Sequence, residues 1–368
     1  MSTTSPSPSN PEKPSNKPSG VSRREFTASM ATAAAAAAMG PAIVHADDKS
    51  GKKLPVVGSG DFKYECQHNW GELPSHIKWG DTHGVVFDET GLIYITHATN
   101  PKLPPMDAIA VFEPSGKFVR SFGKEFHGGG HGLAIRKEGK EEFLYMCDVH
   151  NNRTAKITLK GESVWNYGTP QEPGVYKKGG YKPTNIAFHP DGGFYVADGY
   201  GSSYVHQYDE YARWVRTWGG KGSAEGKMNC PHGIWWDDRP GRTPSVVVAD
   251  RANQRLQYFT EDGKHISFTH GLTAPCYFSI RGETLLVPDL FARVSLLDKD
   301  NKPIVHLGYD EAWVKHVQGT PGLLRDRPKE WLPGRFVHPH HAAFDKDGNI
   351  FVVEWVPLGR VTKLVHVA

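Results

Sequence analysis

Residues 231–250 open with Pro231-His232-Gly233-Ile234-Trp235-Trp236, pass through a polar turn at Asp238-Arg239-Pro240-Gly241, and end with Val246-Val247-Val248-Ala249-Asp250. Two short apolar runs parted by a Pro/Gly turn predict two strands. The phrase is a small residue, a strand, a Gly-containing turn, a second strand and then an acid. It recurs along the chain, which makes it a structural unit and not an isolated motif.

Upstream it reads His83-Gly84-Val85-Val86-Phe87-Asp88 with Gly91-Leu92-Ile93-Tyr94-Ile95, and His131-Gly132-Leu133-Ala134-Ile135 with Phe143-Leu144-Tyr145-Met146-Cys147-Asp148. The third copy is Pro183-Thr184-Asn185-Ile186-Ala187-Phe188 with Phe194-Tyr195-Val196-Ala197-Asp198. Downstream stand Pro275-Cys276-Tyr277-Phe278 with Leu285-Leu286-Val287-Pro288-Asp289, and Pro339-His340-His341-Ala342 with Ile350-Phe351-Val352-Val353-Glu354. Phrases such as Arg255-Leu256-Gln257-Tyr258-Phe259 supply a third strand, and Gly116-Lys117-Phe118-Val119 a fourth. Six copies of a four-strand unit define an all-β, six-bladed β-propeller. The chain stops inside the sixth copy, so an early strand around Phe62–Cys66 is expected to complete that blade and close the ring. Closure leaves few exposed strand edges.

In a propeller the first strand of each blade runs along the central channel, so the residue opening it faces the axis. Those six positions hold His83, His131, Thr184, His232, Cys276 and His340. Blades two, four and six each present a histidine, and alternate blades of a six-fold ring sit about 120° apart. His131, His232 and His340 therefore converge as three imidazoles with an open position, the donor set of a catalytic zinc site. Copper, iron or manganese also accept imidazole. His83 is an accessory, as fourth ligand or proton carrier.

The chain has 368 residues, 38% of them hydrophobic, with 40 Gly and 27 Pro, as suits short strands and many turns. Its 43 basic and 40 acidic residues are interspersed, which argues against a nucleic-acid groove or a membrane-binding stripe. Residues 1–46 read as a twin-arginine signal peptide: a disordered polar n-region, Ser22-Arg23-Arg24-Glu25-Phe26, an Ala-rich run, and cleavage after Ala46. Residues 47–60 read as a linker and 61–368 as the propeller, a periplasmic or extracellular monomer free of the membrane after cleavage. Cys66, Cys147, Cys230 and Cys276 are too scattered for a disulfide framework or a CxxC-type zinc site, although one or two bridges stay open. Reduced, they are small buried hydrophobes.

From Lys182 to Phe259 the phrases Lys182-Pro183-Thr184-Asn185, Asp198-Gly199-Tyr200, Trp218-Gly219, Pro231-His232 and Ala249-Asp250-Arg251-Ala252-Asn253 resemble the NHL-repeat family, and within it the peptidyl-α-hydroxyglycine α-amidating lyases. Weaker similarity covers the rest of the propeller. The resemblance implies zinc, or another divalent transition metal, on His131, His232 and His340. It implies Tyr200 as base or metal-facing group and Arg251 as a grip on a carboxylate, in a reaction that splits α-hydroxyglycine into an amide and glyoxylate. The chain departs from that pattern in several places. Ala98 stands where the family has an arginine, with His97 or Arg251 as substitutes. His341 replaces the acid of a calcium site whose carbonyls fall at Val85 and Leu133, which makes calcium doubtful. Gly201 replaces a disulfide cysteine, and an insertion between Leu307 and Arg335 is expected to cover one channel mouth.

Two further function classes fit the same sequence. One is a non-catalytic NHL propeller binding a peptide, glycan or protein partner. The other is a metal-dependent hydrolase or lactonase of the same architecture.

Overall fold

The computed structural model describes residues 44–47, 53–176, 180–319 and 324–367. The twin-arginine motif and the Ala-rich run lie outside the described residues. No described helix is long and apolar enough to cross a membrane.

Five four-stranded antiparallel sheets and one six-stranded sheet form the six blades. Their first strands are Asp81–Phe87, Gly130–Glu138, Asn185–Phe188, Pro231–Asp237, Ser279–Arg281 and Pro339–Phe344. First strands of most neighbouring blades pack together, and Pro339–Phe344 packs on Asp81–Phe87 to complete the circle. The second and third strands carry most of the core. Val246, Val247, Val248 and Leu256 are fully buried between blades, because β-branched side chains on both faces of a middle strand meet a neighbouring sheet on each side.

Closure occurs where the sequence places it. Phe62–His68 pairs with the last strand, Arg360–Val367, with Cys66 opposite Leu364. Within the stretch read as a linker, however, Lys53–Ser59 is a strand paired with Phe62–His68, and Val44–Asp47 pairs with it in turn. Val56 and Val57 are buried, so this added hairpin belongs to blade six. Two adjacent valines after a proline gave too short an apolar run to separate a strand from a linker.

The acid at the end of the second strand, present in five of the six blades, has a structural task. Asp250 accepts the Asn229 N–H at 2.7 Å and pairs with Arg255 at 2.7 Å. Asp289 accepts the Thr273 and Ala274 N–H groups and pairs with Arg293. Glu354 accepts the Val337 and His338 N–H groups and pairs with Arg360. Each carboxylate thus fixes the backbone two or three residues ahead of the channel-facing residue, while its arginine ties in the third strand.

Candidate metal centre

Each channel histidine sits on a β-bulge. The ladder register shifts between Thr82 and Gly84, Gly130 and Leu133, Pro231 and Ile234, and Pro339 and His341. A bulge leaves its residue unpaired and re-aims the side chain, here toward the axis. The four rings are buried.

Their orientation is fixed by the neighbouring blade. Nδ1 lies 2.8 Å from the Thr184 carbonyl for His131, 2.8 Å from that of Cys276 for His232, 2.9 Å from that of His83 for His340, and 3.0 Å from that of Gly130 for His83. A carbonyl only accepts, so every Nδ1 carries the proton and every Nε2 turns a lone pair elsewhere. At His131 and His232 the glycine that follows permits this approach. A Cβ at Gly132 would lie 2.2 Å from the Thr184 oxygen, and one at Gly233 would lie 2.5 Å from the Cys276 oxygen. Gly233→Ala is therefore expected to push away the carbonyl that orients His232. Metal affinity should drop about tenfold or more, as for other outer-shell changes, with the circular dichroism of the fold retained; titration calorimetry reads it.

The rings form one cluster. Centroid separations are 4.7 Å for His83–His131, His83–His340 and His131–His340, 5.0 Å for His131–His232 and 4.6 Å for His232–His340. The ligand atoms of His83, His131 and His340 all lie within 4.8 Å of one another. Nε2 of His232 meets the Tyr200 hydroxyl at 3.0 Å, and that hydroxyl lies 3.3 Å from Nε2 of His131. Nε2 of His340 is buried without a hydrogen-bond partner. Burial holds the His83 imidazole down to about 4, with Gly130 opposing, and holds the other three well below the usual histidine range. The rings therefore stay neutral, and the ligand atoms that gather are those of His83, His131 and His340, whereas Nε2 of His232, expected in the triad, is turned onto the Tyr200 hydroxyl. Such a donor set fits a borderline-soft divalent metal such as zinc.

Around the ring, Tyr200 is 38% exposed at the channel mouth with its hydroxyl turned down onto the histidines. Burial pushes the phenol up to about 12, and the Arg251 guanidinium opposes that rise. Arg251 reaches the Tyr200 hydroxyl at 3.4 Å and Cys276 Sγ at 3.9 Å, and makes no ion pair with a carboxylate among the described residues.

His97 does the work of an acid and not of an arginine. Thr82 pairs with His97 as Pro231 pairs with Asp250, and His97 Nδ1 accepts the Gly80 N–H at 3.1 Å, three residues ahead of His83. Buried against Trp79, with its imidazole lowered to about 4, it supplies no cation. Ala98 lies opposite Asp81, and Asp81 is paired with Arg325 from the insertion, which stacks on Trp355. Sequence reading missed Arg325, because the partners are 244 residues apart and no local pattern joins them. Elsewhere in the insertion, Trp313 is buried beneath helix Glu311–Gly319, while Lys315 is exposed and pairs with Glu311. His341 is buried against the Tyr277 ring at 3.6 Å and offers a hard cation no oxygen. The four cysteines are free; burial pushes the Cys66 and Cys276 thiols up to about 12.

Fold and site together define a six-bladed β-propeller with a histidine-lined channel. In sequence the chain resembles peptidyl-α-hydroxyglycine α-amidating lyase: it is 25% identical to lyase 1 of Drosophila melanogaster over 345 residues, covering 82% of this chain and 60% of that protein. It is 26% identical over 263 residues to the peptidylglycine α-amidating monooxygenase of Rattus norvegicus, covering 61% of this chain and 26% of that protein. NHL repeat-containing protein 3 of Mus musculus is 28% identical over 236 residues, covering 59% of this chain and 65% of that protein. The chain thus spans less than two thirds of the length of these relatives. No family model matches it. Among solved structures, a Xanthomonas campestris gluconolactonase superposes with TM-score 0.55 at 12% identity over 89% of this chain and 96% of that one. Virginiamycin B lyase of Staphylococcus aureus gives 0.53 at 13%, over 83% and 100%. At such identities these two structures speak for the fold alone.

Proposed function

We propose that this protein is a metal-dependent carbon–nitrogen lyase that cleaves α-hydroxyglycine-type substrates to an amide and glyoxylate. His131, His232 and His340 would hold the metal with His83 beside them. The observation that carries the reading is the ring of neutral imidazoles set against Tyr200 and an arginine without a carboxylate partner. A half-buried guanidinium at a channel mouth is matched by an anionic substrate group, and Arg251 can grip a carboxylate with two parallel donors. A metal bound to the ring would supply Lewis-acid polarisation of substrate oxygens.

In this reading Tyr200 takes the hydroxyl proton as its C–O bond becomes the carbonyl of glyoxylate. The Cα–N bond breaks, its electron pair stays on nitrogen, and a proton completes the amide. No net oxidation occurs. The phenol must lose its proton to act, and Arg251 is the cation beside it that favours this. The twin-arginine reading of residues 1–46 supports a location in the periplasm or outside the cell.

The test is glyoxylate release from α-hydroxyhippurate by the purified, metal-loaded chain. Arg251→Ala is expected to raise KM about tenfold to a hundredfold, the range for losing a charged hydrogen-bonding group, and Tyr200→Phe to lower kcat with KM little changed. Metal-loaded protein that releases no glyoxylate would leave the propeller as a binding scaffold.

A further inference from the structure

We propose that His83 is a fourth protein ligand, and that the ring is a four-imidazole centre with two adjacent open positions shaped for a 2-hydroxy carboxylate. This inference rests on the metal-centre reading above and extends it to the coordination geometry and the substrate's mode of attachment.

The local evidence is that His83 is built like the other three. It sits on the same bulge, donates Nδ1–H to the next blade's carbonyl, and brings its ligand atom within 4.8 Å of those of His131 and His340.

The ring spacings then select the geometry. His131 and His340 each contact all three other rings at 4.6–5.0 Å, whereas His83 and His232 make no ring contact with each other. Four ligands at tetrahedral corners would give six equal separations. Four ligands of an octahedron with two neighbouring corners vacant give five short separations and one long one. With metal–nitrogen bonds of about 2.1 Å, rings at neighbouring corners have centroids about 4.5 Å apart and opposite rings about 6.5 Å apart. The ring centroids follow the second pattern, with His83 and His232 opposite one another, while the ligand atoms already within 4.8 Å of one another are those of His83, His131 and His340.

The remaining channel positions do not fill the vacant corners. Thr184 Oγ1 donates to the Ala197 and Pro231 carbonyls, and Cys276 Sγ donates to the Ala274 carbonyl. The Tyr200 hydroxyl lies beside His131 and His232, with Arg251 next to it. Two neighbouring corners accept the hydroxyl and one carboxylate oxygen of a 2-hydroxy acid as a five-membered chelate. This leaves the second carboxylate oxygen for Arg251 and the hydroxyl proton for Tyr200. A six-coordinate, nitrogen-rich centre of this kind suits iron(II), cobalt(II) or nickel(II) at least as well as zinc, whose protein sites are usually tetrahedral.

Cobalt(II) is the probe, because its visible bands are weak in six-coordinate sites and intense in four-coordinate ones. The cobalt-loaded full chain is expected to show weak bands that change on adding glycolate and not on adding acetate. X-ray absorption should count four imidazoles. His83→Ala and His83→Gln, checked for folding by circular dichroism, are expected to intensify the bands, lower the count to three and weaken cobalt binding about tenfold or more. If the wild type binds cobalt while both variants keep its affinity and spectrum, His83 is no ligand and the proposal fails alone. Wild-type protein that takes up no cobalt overturns the metal reading itself.

Discussion

Exchange of His131 or His340 for alanine is expected to abolish stoichiometric metal uptake and to lower glyoxylate release by roughly a thousandfold, the scale on which removing a principal transition-state stabiliser acts. These two residues belong both to the alternate-blade triad and to the cluster of His83, His131 and His340, and each ring touches the other three. No set of three among the four histidines omits both of them. Elemental analysis and substrate turnover should therefore fail together. A thermal readout separates metal loss from misfolding: ligand binding to the native state raises its stability by mass action, so added metal should raise the Tm of the wild type and leave that of His340→Ala unmoved. His340→Ala also leaves the His83 carbonyl without its donor, an unmade hydrogen bond worth about 1–3 kcal/mol. The apo variant should thus be slightly less stable than the apo wild type. Full turnover by either variant would show that the histidines only fill the channel.

The fold was legible because its unit repeats. A single copy such as Pro275–Asp289 is ambiguous, but six copies in step with the blade period leave few alternatives, and the chain end inside the sixth copy predicts the closing strand. The channel positions of the histidines followed from the same alignment. The bulges did not, because register depends on the partner strand; the His-Gly pair is their local trace at His83, His131 and His232, while His340 makes the same approach with His341 after it. The role of His97 was misread for a related reason. Compared along the chain it stands next to Ala98, where the resemblance expects an arginine. Compared across the ladder it occupies the carboxylate's position and accepts the same kind of N–H. Arg325 was invisible because its partner Asp81 comes from the opposite end of the propeller sequence.

Asp250→Ala and Glu354→Ala are expected to be strongly destabilising. Both carboxylates are fully buried, and their partners Arg255 and Arg360 are nearly so. Removing one member of a buried pair strands the other charge, at a cost of about 3–5 kcal/mol, against a total stability of about 5–15 kcal/mol for typical domains. Urea denaturation should show the midpoint falling accordingly. Glu113→Ala, which breaks the exposed Lys117–Glu113 pair, should change stability by less than about 1 kcal/mol. The loss should also reach the metal. Asp250 holds the Asn229 N–H three residues ahead of His232, and Glu354 holds the Val337 and His338 N–H groups ahead of His340. Asp250→Asn separates the two roles, since its amide oxygen can still accept from Asn229 while the charge opposite Arg255 is gone. The asparagine variant should therefore lose stability yet keep its metal, whereas the alanine variant should lose both. If Asp250→Ala binds metal as tightly as the wild type, the acid pins the blade without aiming the histidine.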